Sequence, residues 1–446
     1  MKKYLGILLI IMSVIFVGCD EFSSMPSDTQ DVTEVSNEKL ETMAKNYVED
    51  LLNGNYVSAY NDYPHSEDLT QAVNENIYET MMGQITVQFG EFVEFVDTQT
   101  VIVDSHTSVV INSAFSYSNI NIIITFDDDE NINGINIAPI NDTTPIDSEK
   151  YYTTNITFGT QEYPLEGTLT LPKNVDSPPV VILVHGSGPN DRDETIGPNK
   201  PFRDIAYALA NNGIASFRYD KRTYTYPEAT AFDTKLTVYE ETIEDAYLAV
   251  DTLSTLDEID PDNIYLIGHS LGGYVIPRIA QKTDGVAGYV VMAGNSRNLL
   301  DVVEDQYAFF LGRSDNLSPD ELAQLNVLKD SIELIRSDSI DEHTPVLGSY
   351  KPYWKDLMAY EPLELVLEID QPILFLQGER DYQVTMTDFN LWKETVGHQD
   401  KNTFVSLEGI NHLMMFGEGE PNPEEYFVSN TVADSVIEAI VHFILN

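Results

Sequence analysis

NIYLIGHSLGGYVIPRIA, residues 263–280, is the stretch from which the architecture of this chain can be worked out. A β-branched, apolar run stops at Gly268-His269-Ser270-Leu271-Gly272, and the residues that follow have helical spacing. The pattern G-x-S-x-G is weak alone, but a strand directly before it and a helix directly after it favour a strained turn that exposes the serine hydroxyl. Gly268 and Gly272 fit positions where neighbouring backbone leaves no room for a Cβ atom. Ser270 is therefore the candidate nucleophile; a tight turn with a harmless serine is the alternative.

Apolar strands alternate with amphipathic helices on both sides of this stretch. The strands are VVILVHG (180–186), IASFRYD (214–220), NIYLIGH (263–269), GYVVMAG (288–294), PILFLQGERD (372–381) and TFVSLEG (403–409). Strands that are apolar nearly throughout predict an α/β fold, with a mostly parallel sheet covered by helices on both faces. Residues 155–172 add a hairpin, and residues 295–362, which include a helix capped by Ser318 and Glu321, predict a helical lid insert.

The serine needs a base, and the base needs a third group that orients it. In this strand order the acid is expected after the penultimate strand and the histidine after the last one, which gives the order Ser270, Asp381, His412. Glu379 is the alternative acid, and helix capping is the alternative role of Asp381. Three other histidines compete as the base, but none follows a terminal strand: His343, His398 and His442.

Backbone donors for the oxyanion are expected where the first central strand ends, at His185-Gly186-Ser187-Gly188. The glycines Gly186 and Gly188 allow a flexible turn there, so that the N–H of Ser187 and the N–H of Leu271 point at one spot. Gly188 is the alternative donor. His185 and His269 then support the site without taking part in the chemistry.

Residues 185–222 (HGSGPNDRDETIGPNKPFRDIAYALANNGIASFRYDKR) and 378–384 (GERDYQV), together with the serine turn, make residues 151–446 similar to the α/β-hydrolase superfamily. More narrowly, the chain resembles exported bacterial esterases with a small N-terminal accessory domain. The resemblance implies a serine carboxylesterase that hydrolyses short acyl esters through an acyl-enzyme, with Ser270, Asp381 and His412 as the triad. It further suggests that Asp191, Arg192 and Asp193 shape the loop over the site, and that Asp220, Lys221 and Arg222 form a structural ion-pair cluster.

Other activities fit the same residues. A peptidase, a lactonase or an acyltransferase could use this triad, and a surface binding protein could keep the scaffold without turnover. No metal and no cofactor are expected, because the chain lacks a His-Glu-x-x-His pair and a G-x-G-x-x-G turn after a strand.

Residues 37–138 predict a separate α+β domain. Residues 38–52 carry an apolar stripe at helical spacing, further helices follow to about Met82, and alternation from Ile85 onward predicts β-strands. The unit resembles the small accessory domain of unknown function found before some secreted bacterial hydrolases, with a cone-shaped fold like nuclear transport factors. His65 and His106 are interpreted as surface histidines, and residues 139–150 as a linker.

The N-terminus, MKKYLGILLIIMSVIFVGC, predicts export. Two lysines precede an apolar run too short to span a membrane, which is typical of a signal peptide over residues 1–18. Phe16-Val17-Gly18-Cys19 resembles the lipobox of bacterial lipoproteins, so the only cysteine, Cys19, is the predicted lipidation site. An ordinary signal peptide or an uncleaved anchor is the alternative. Residues 19–36 are then a flexible tether that holds the protein at the bacterial cell membrane.

Charge excludes one class of partner. The chain has 73 acidic and 24 basic residues, a net charge of −49, so nucleic acid is not an expected ligand. A solvated acidic surface is the simple interpretation, and adaptation to a saline habitat is the sharper hypothesis. The predicted partner is a small-molecule ester, and the sequence leaves the oligomeric state open.

Overall fold

The computed structural model describes residues 17–18, 33–35, 37–103, 106–140, 144–313 and 317–446. Cys19 and nearly all of the predicted signal peptide and tether lie outside these residues. The chain divides into two compact units, an N-terminal unit built around residues 14–142 and a C-terminal unit that takes most of the remainder. Within the described residues, no helix is both long enough and apolar enough to cross a membrane.

The helices of the N-terminal unit precede its four long strands in the chain. They are α1 (Glu38–Leu52), α2 (Tyr56–Asn61), α3 (Glu67–Ala72) and α4 (Glu75–Phe89). The side chain of Asn37 caps α1, and the buried stripe of α1 includes Leu40, Ala44 and Val48. Residues 85–89 were expected to be a strand but continue α4, because Ile85 and Phe89 extend a buried stripe at helical spacing from Met82. Gly90, with φ +88°, ends the helix.

The sheet of the N-terminal unit is antiparallel, in the order β1-β6-β5-β4-β3-β2. Its strands are β1 (Val17–Gly18), β2 (Thr33–Val35), β3 (Phe92–Val103), β4 (His106–Phe115), β5 (Asn119–Phe126) and β6 (Ile132–Pro139). Strand β2 falls within the predicted flexible tether; its β-branched residues pair with the edge of β3. Helices together with a separate antiparallel sheet confirm the predicted α+β class.

The C-terminal unit contains an eight-stranded, mostly parallel sheet, in the order β14-β13-β12-β11-β9-β10-β8-β7. Its strands are β7 (Tyr151–Gly159), β8 (Pro164–Pro172), β9 (Val180–Val184), β10 (Ala215–Tyr219), β11 (Ile264–His269), β12 (Val286–Met292), β13 (Ile373–Gly378) and β14 (Thr403–Leu407). Strand β8 runs antiparallel to both of its neighbours, β7 and β10, and the other neighbouring strands pair in parallel. Strands β9, β10, β11 and β13 are buried throughout, which confirms the prediction from their apolar sequences.

The helices of this unit lie between its strands in the chain and after the last strand. They are α5 (Pro201–Asn211), α6 (Arg222–Thr225), α7 (Pro227–Ala231), α8 (Glu244–Leu253), α9 (Leu271–Ala280), α10 (Leu299–Leu311), α11 (Pro319–Arg336), α12 (Lys351–Met358), α13 (Pro362–Leu365), α14 (Met386–Val396) and α15 (Asp434–Leu445), with a π-helical turn at Tyr239–Ile243 and short 3₁₀ turns at Val366–Glu368 and Pro423–Phe427. The insert between β12 and β13 is helical, as expected. Ser318 and Glu321 form the predicted capping box at the start of α11.

Candidate active site

The strained turn predicted at Ser270 is present. Strand β11 ends at His269, α9 begins at Leu271, and Ser270 between them has φ +54° and ψ −117°. A Cβ at Gly268 would lie 2.4 Å from backbone atoms of Gly272, and a Cβ at Gly272 would lie 2.3 Å from the carbonyl oxygen of Val184. Both glycines are therefore required by the turn that holds the serine in a conformation disfavoured for L-residues.

Asp381 and His412 lie together at the carboxyl ends of β13 and β14. The Nδ1 of His412 is 2.7 Å from Oδ2 of Asp381, and both side chains are buried. Oδ1 of Asp381 accepts hydrogen bonds from the backbone N–H groups of Gln383 and Val384, at 2.8 and 3.0 Å. The carboxylate is thus fixed as an acceptor, so a neutral His412 carries its proton on Nδ1 and keeps Nε2 free to accept one.

His269, the residue before Ser270, links the Asp381–His412 pair to the strained turn. The Nε2 of His269 donates to the backbone carbonyl of His412 at 2.9 Å, and the centroids of the two imidazole rings are 4.8 Å apart. Because His269 directly precedes Ser270, the loop that carries His412 is held against the turn that carries the serine. The structure therefore brings Ser270, Asp381 and His412 to one place at the carboxyl edge of the parallel strands.

The loop after β9 reaches the same place. A Cβ at Gly186 would lie 3.2 Å from Cβ of Ser270, so the backbone of Gly186 borders the serine. Among the described residues, none accepts a hydrogen bond from the N–H of Ser187 or from that of Gly188. Leu271 is the first residue of α9, where the backbone N–H has no partner within the helix. Leu271 and either Ser187 or Gly188 can thus donate to an oxyanion at Ser270.

A buried ion pair lies behind the serine turn. The Nδ1 of His269 is 2.8 Å from Oε2 of Glu194, and the N–H of Gly186 donates to Oε1 of Glu194 at 2.7 Å. Burial alone would lower the pKa of His269, but the carboxylate of Glu194 outweighs burial and raises that pKa. Burial alone would raise the pKa of Glu194, but the imidazole of His269 keeps that pKa below its usual value. Since both ring nitrogens donate, His269 is an imidazolium.

Glu194 is a residue that the sequence interpretation missed. It stands directly after the Asp191–Asp193 stretch, and nothing in its local pattern separates it from that acidic run. The one signal is conformational and appears only in the structure: Glu194 has φ +52°, although glutamate seldom adopts the left-handed region. The carboxylate of this residue contacts the N–H of Gly186 and the ring of His269.

His185 behaves differently from His269. Its Nε2 donates to the carbonyl of Asp191 at 3.0 Å, and burial lowers the pKa of His185 to about 4. The ring is therefore neutral at pH 7 and packs against Phe202 and Tyr219. Both histidines lie outside the reacting atoms, in the supporting positions expected for them.

The competing residues lie elsewhere. Glu379 is exposed and accepts from the hydroxyl of Ser406, and Thr385 caps α14 in place of Asp381. The other candidate bases are exposed on the surface: His343, His398 and His442. His65 is half-buried in the N-terminal unit beside Tyr60 and Tyr47, which corrects its interpretation as a surface residue.

The charged residues near the first loop form ion pairs, but not as one cluster. Asp220 pairs with Arg192, whereas Arg222 pairs with Glu244 and Asp245. Lys221 pairs with Glu241 and also donates to the carbonyl of Gly186. Asp220, Lys221 and Arg222 are therefore ion-pair residues, as expected, but each of them pairs with a different partner.

The helical insert lies next to the acid. The ring of Phe309 on α10 stacks on Tyr382, which follows Asp381, with centroids 4.5 Å apart and planes 13° apart. The amide of Gln306, also on α10, donates to the carbonyl of Gln383. No group of three His, Cys, Asp or Glu side chains in the described part of the chain is arranged to hold a metal ion.

Comparisons with known proteins agree with this fold. The model of the alpha/beta hydrolase family matches residues 181–427, and the model of a protein family of unknown function, DUF3887, matches residues 44–135. The chain is 33% identical over 410 residues to the esterase EstD of Thermotoga maritima, covering 90% of this chain and 94% of that protein.

Solved structures similar to this chain include two esterases. Est1E from Butyrivibrio proteoclasticus is 16% identical, with a TM-score of 0.42, over 65% of this chain and 97% of that one. An esterase from Pyrobaculum calidifontis is 17% identical, with a TM-score of 0.43, over 66% of this chain and 84% of that one.

Proposed function

The chain belongs to the α/β hydrolase family, and from this premise we propose that this carboxylic ester hydrolase is a serine carboxylesterase that cleaves short-chain acyl esters through an acyl-enzyme. The observation that carries the proposal is the 2.7 Å bond between His412 and Asp381, held against the turn of Ser270 by His269. A related protein with 33% identity is an esterase, which supports ester substrates.

The proposed reaction gives each of these side chains one role. Oγ of Ser270 attacks the acyl carbonyl while Nε2 of His412 takes its proton, and Asp381 stabilises the imidazolium that forms. The N–H groups of Leu271 and Ser187 donate to the tetrahedral oxyanion. His412 then protonates the leaving alcohol, and water attacks the acyl-serine by the same steps, with His412 as its base, to release the acid.

Hydrolysis of p-nitrophenyl acetate, butyrate and octanoate tests this proposal. We expect Ser270→Ala to lose ~10⁴-fold or more in kcat, because the nucleophile is absent and only binding and the oxyanion donors remain. Wild-type kcat/KM should fall from butyrate to octanoate. Equal rates for wild type and Ser270→Ala would reject the esterase mechanism, and faster turnover of matched p-nitroanilides or lactones would assign the triad to an amidase or a lactonase.

We further propose that the protein is exported and lipid-anchored through Cys19. The basic, apolar N-terminus and the single cysteine support this. Growth with labelled palmitate should label the wild-type protein in the membrane fraction, whereas Cys19→Ser should be unlabelled. Label that remains in Cys19→Ser would contradict the proposed anchor.

A further inference from the structure

We infer that Lys221, Glu241 and Tyr353 are positioning residues that fix the direction of the Ser187 N–H and connect it to the helical insert. The inference rests on the proposed function, because it concerns the oxyanion donor of that reaction. None of the three touches the reacting atoms. They act through the peptide group that joins Gly186 to Ser187.

A buried ammonium holds the carbonyl of Gly186. The Nζ of Lys221 donates to that oxygen at 2.8 Å and lies 2.5 Å from Oε1 of Glu241. Lys221 is 1% exposed and Glu241 is 4% exposed. A lysine is almost never buried this completely unless its charge is compensated. Here one ammonium proton goes to the compensating carboxylate and a second goes to the carbonyl.

The direction of the Ser187 N–H follows from this contact. The peptide bond between Gly186 and Ser187 is trans, so its N–H points opposite to its C=O. Holding the carbonyl on Lys221 therefore turns the Ser187 N–H away from the buried ion pair. Glu194 holds the other polar group of Gly186, its N–H, at 2.7 Å. Both polar backbone groups of Gly186 are thus fixed. The carbonyl of Ser187, which belongs to the peptide group of the Gly188 N–H, has no ammonium on it. Ser187 is therefore favoured over Gly188 as the donor.

A weaker contact accompanies the ammonium. The side-chain amide of Asn190 lies 3.3, 3.1 and 3.3 Å from the carbonyl oxygens of Gly186, Ser187 and Gly188. One half-buried amide shared among three carbonyls selects no single orientation. The charged, fully buried Lys221 is therefore the group that sets the peptide plane.

The helical insert supplies Tyr353, the third of the three positioning residues. The hydroxyl of Tyr353, on α12, donates to Oε2 of Glu241 at 2.6 Å. Burial and the nearby Glu241 raise the pKa of Tyr353 well above its usual value, so the phenol stays a neutral donor. Glu241 lies on the π-helical turn Tyr239–Ile243, an irregularity that often marks functional sites.

Because Glu241 has two oxygens, its two partners divide them. Tyr353 occupies Oε2 and Lys221 occupies Oε1. Without the phenol, Glu241 is free to draw the ammonium further onto itself, which weakens the bond from Lys221 to Gly186 and loosens the donor peptide. The insert therefore tunes an oxyanion donor that it does not touch.

Kinetics of Tyr353→Phe on p-nitrophenyl butyrate test this inference. We expect kcat to fall about 3–10-fold with KM within twofold, because the donor acts on the transition state and not on the ester ground state. The double variant Lys221→Met/Glu241→Gln removes the hydrogen bond from Lys221 to the Gly186 carbonyl without leaving an unpaired buried charge. Its kcat should fall ~10²-fold, the scale of losing one oxyanion donor. Binding of an alkylboronic acid, which forms a tetrahedral adduct on Ser270, should weaken in parallel with kcat.

Tyr360→Phe is the matched control. It removes another buried phenol of the insert region, one that donates to the carbonyl of Tyr274 at 2.9 Å and has no contact with Glu241. Its kcat should stay within twofold of wild type at a comparable loss of thermal stability. Wild-type kcat in Tyr353→Phe, or a change confined to KM, overturns the inference, and equal losses in both Tyr variants do the same. A Ser270→Ala variant as active as wild type would instead reject the proposed function.

Discussion

The two units of the molecule bury different kinds of side chain. Among the described residues of the N-terminal unit, no charged side chain is buried, and the buried serines and threonines lie on strands: Thr100, Ser108, Ser113 and Thr125. The C-terminal unit buries many charged or titratable side chains near the carboxyl edge of its sheet, among them His185, Arg192, Glu194, Asp220, Lys221, Glu241, His269, Asp381 and His412.

The buried hydroxyls of the N-terminal unit and the buried charges of the C-terminal unit have different energetic requirements. A hydroxyl can be satisfied locally, as where Ser108 and Thr125 pair across neighbouring strands at 3.1 Å. A charge must be paired when it is buried, and removing its partner is strongly destabilising. In the C-terminal unit such pairs hold the loops around Ser270, so we expect activity to depend on that unit's buried charges.

The largest effect should come from exchanging a histidine in each unit. His412→Ala removes the general base, so kcat should fall by ~10⁴-fold or more. His65→Ala removes a half-buried histidine of the N-terminal unit and should leave kcat within twofold. Ester hydrolysis by the two purified variants decides this. Loss of activity in His65→Ala would place chemistry in the N-terminal unit and contradict the distinction between the two units.

The next largest effect concerns the pair behind the serine. Glu194→Gln leaves the His269 imidazolium without its carboxylate, which should lower the free energy of unfolding by about 3–5 kcal/mol. Trp354 and Trp392 are the only tryptophans and both are buried in the C-terminal unit, so their fluorescence during urea unfolding reports on that unit.

An exposed pair provides the control for Glu194. Lys329 and Glu333 are an i, i+4 pair on α11 with side chains 54% and 68% exposed. Glu333→Gln should change the free energy of unfolding by less than about 1 kcal/mol, because water screens the pair. Similar losses in Glu194→Gln and Glu333→Gln would show that burial does not distinguish these carboxylates.

The sequence predicted the parts that depend on local pattern. The alternation of strands and helices, the glycines of the serine turn and the capping box at Ser318 follow from spacing and sterics, and the structure contains them. The strand predicted for residues 85–89 was wrong because Ile85 and Phe89 satisfy both strand alternation and a helical stripe. Only packing decides between the two.

The supporting charges could not be predicted in the same way. Glu194 meets His269 across 75 positions, and Tyr353 meets Glu241 across 112. Such pairs depend on how loops from different strands converge, which no local period encodes. Lys221 could be recognised as an ion-pair residue, but its contact with Gly186 needed the fold.

A smaller effect should appear with pH. The pKa of His185 is about 4 in the folded protein and near 6.5 when unfolded, so the unfolded state binds more protons between these values. The stabilising contribution is complete above pH 6.5 and is lost as the pH falls toward 4, by about 3 kcal/mol. The difference in unfolding free energy between wild type and His185→Gln should therefore shrink across this range. A difference that stays constant with pH would contradict a neutral, buried His185.

The smallest effect lies in the N-terminal unit. The hydroxyl of Tyr47 donates to that of Tyr78 at 2.7 Å, and both are buried. Tyr47→Phe should destabilise that unit by about 1 kcal/mol, the net value of one hydrogen bond, with no change in kcat. Hydrogen exchange of amides in residues 37–140, measured beside ester hydrolysis, checks both. Lost activity at unchanged stability would contradict the division between the units.

The most direct test of the central claim is to trap the nucleophile. A p-nitrophenyl alkylphosphonate reacts only with an activated serine, and peptide mass mapping locates the adduct. We expect one phosphonylated residue, Ser270, in wild type, and a rate of labelling reduced ~10³-fold or more in His412→Ala because the hydroxyl loses its base. An adduct on any other residue, or labelling of Ser270 at the same rate without His412, would contradict the account.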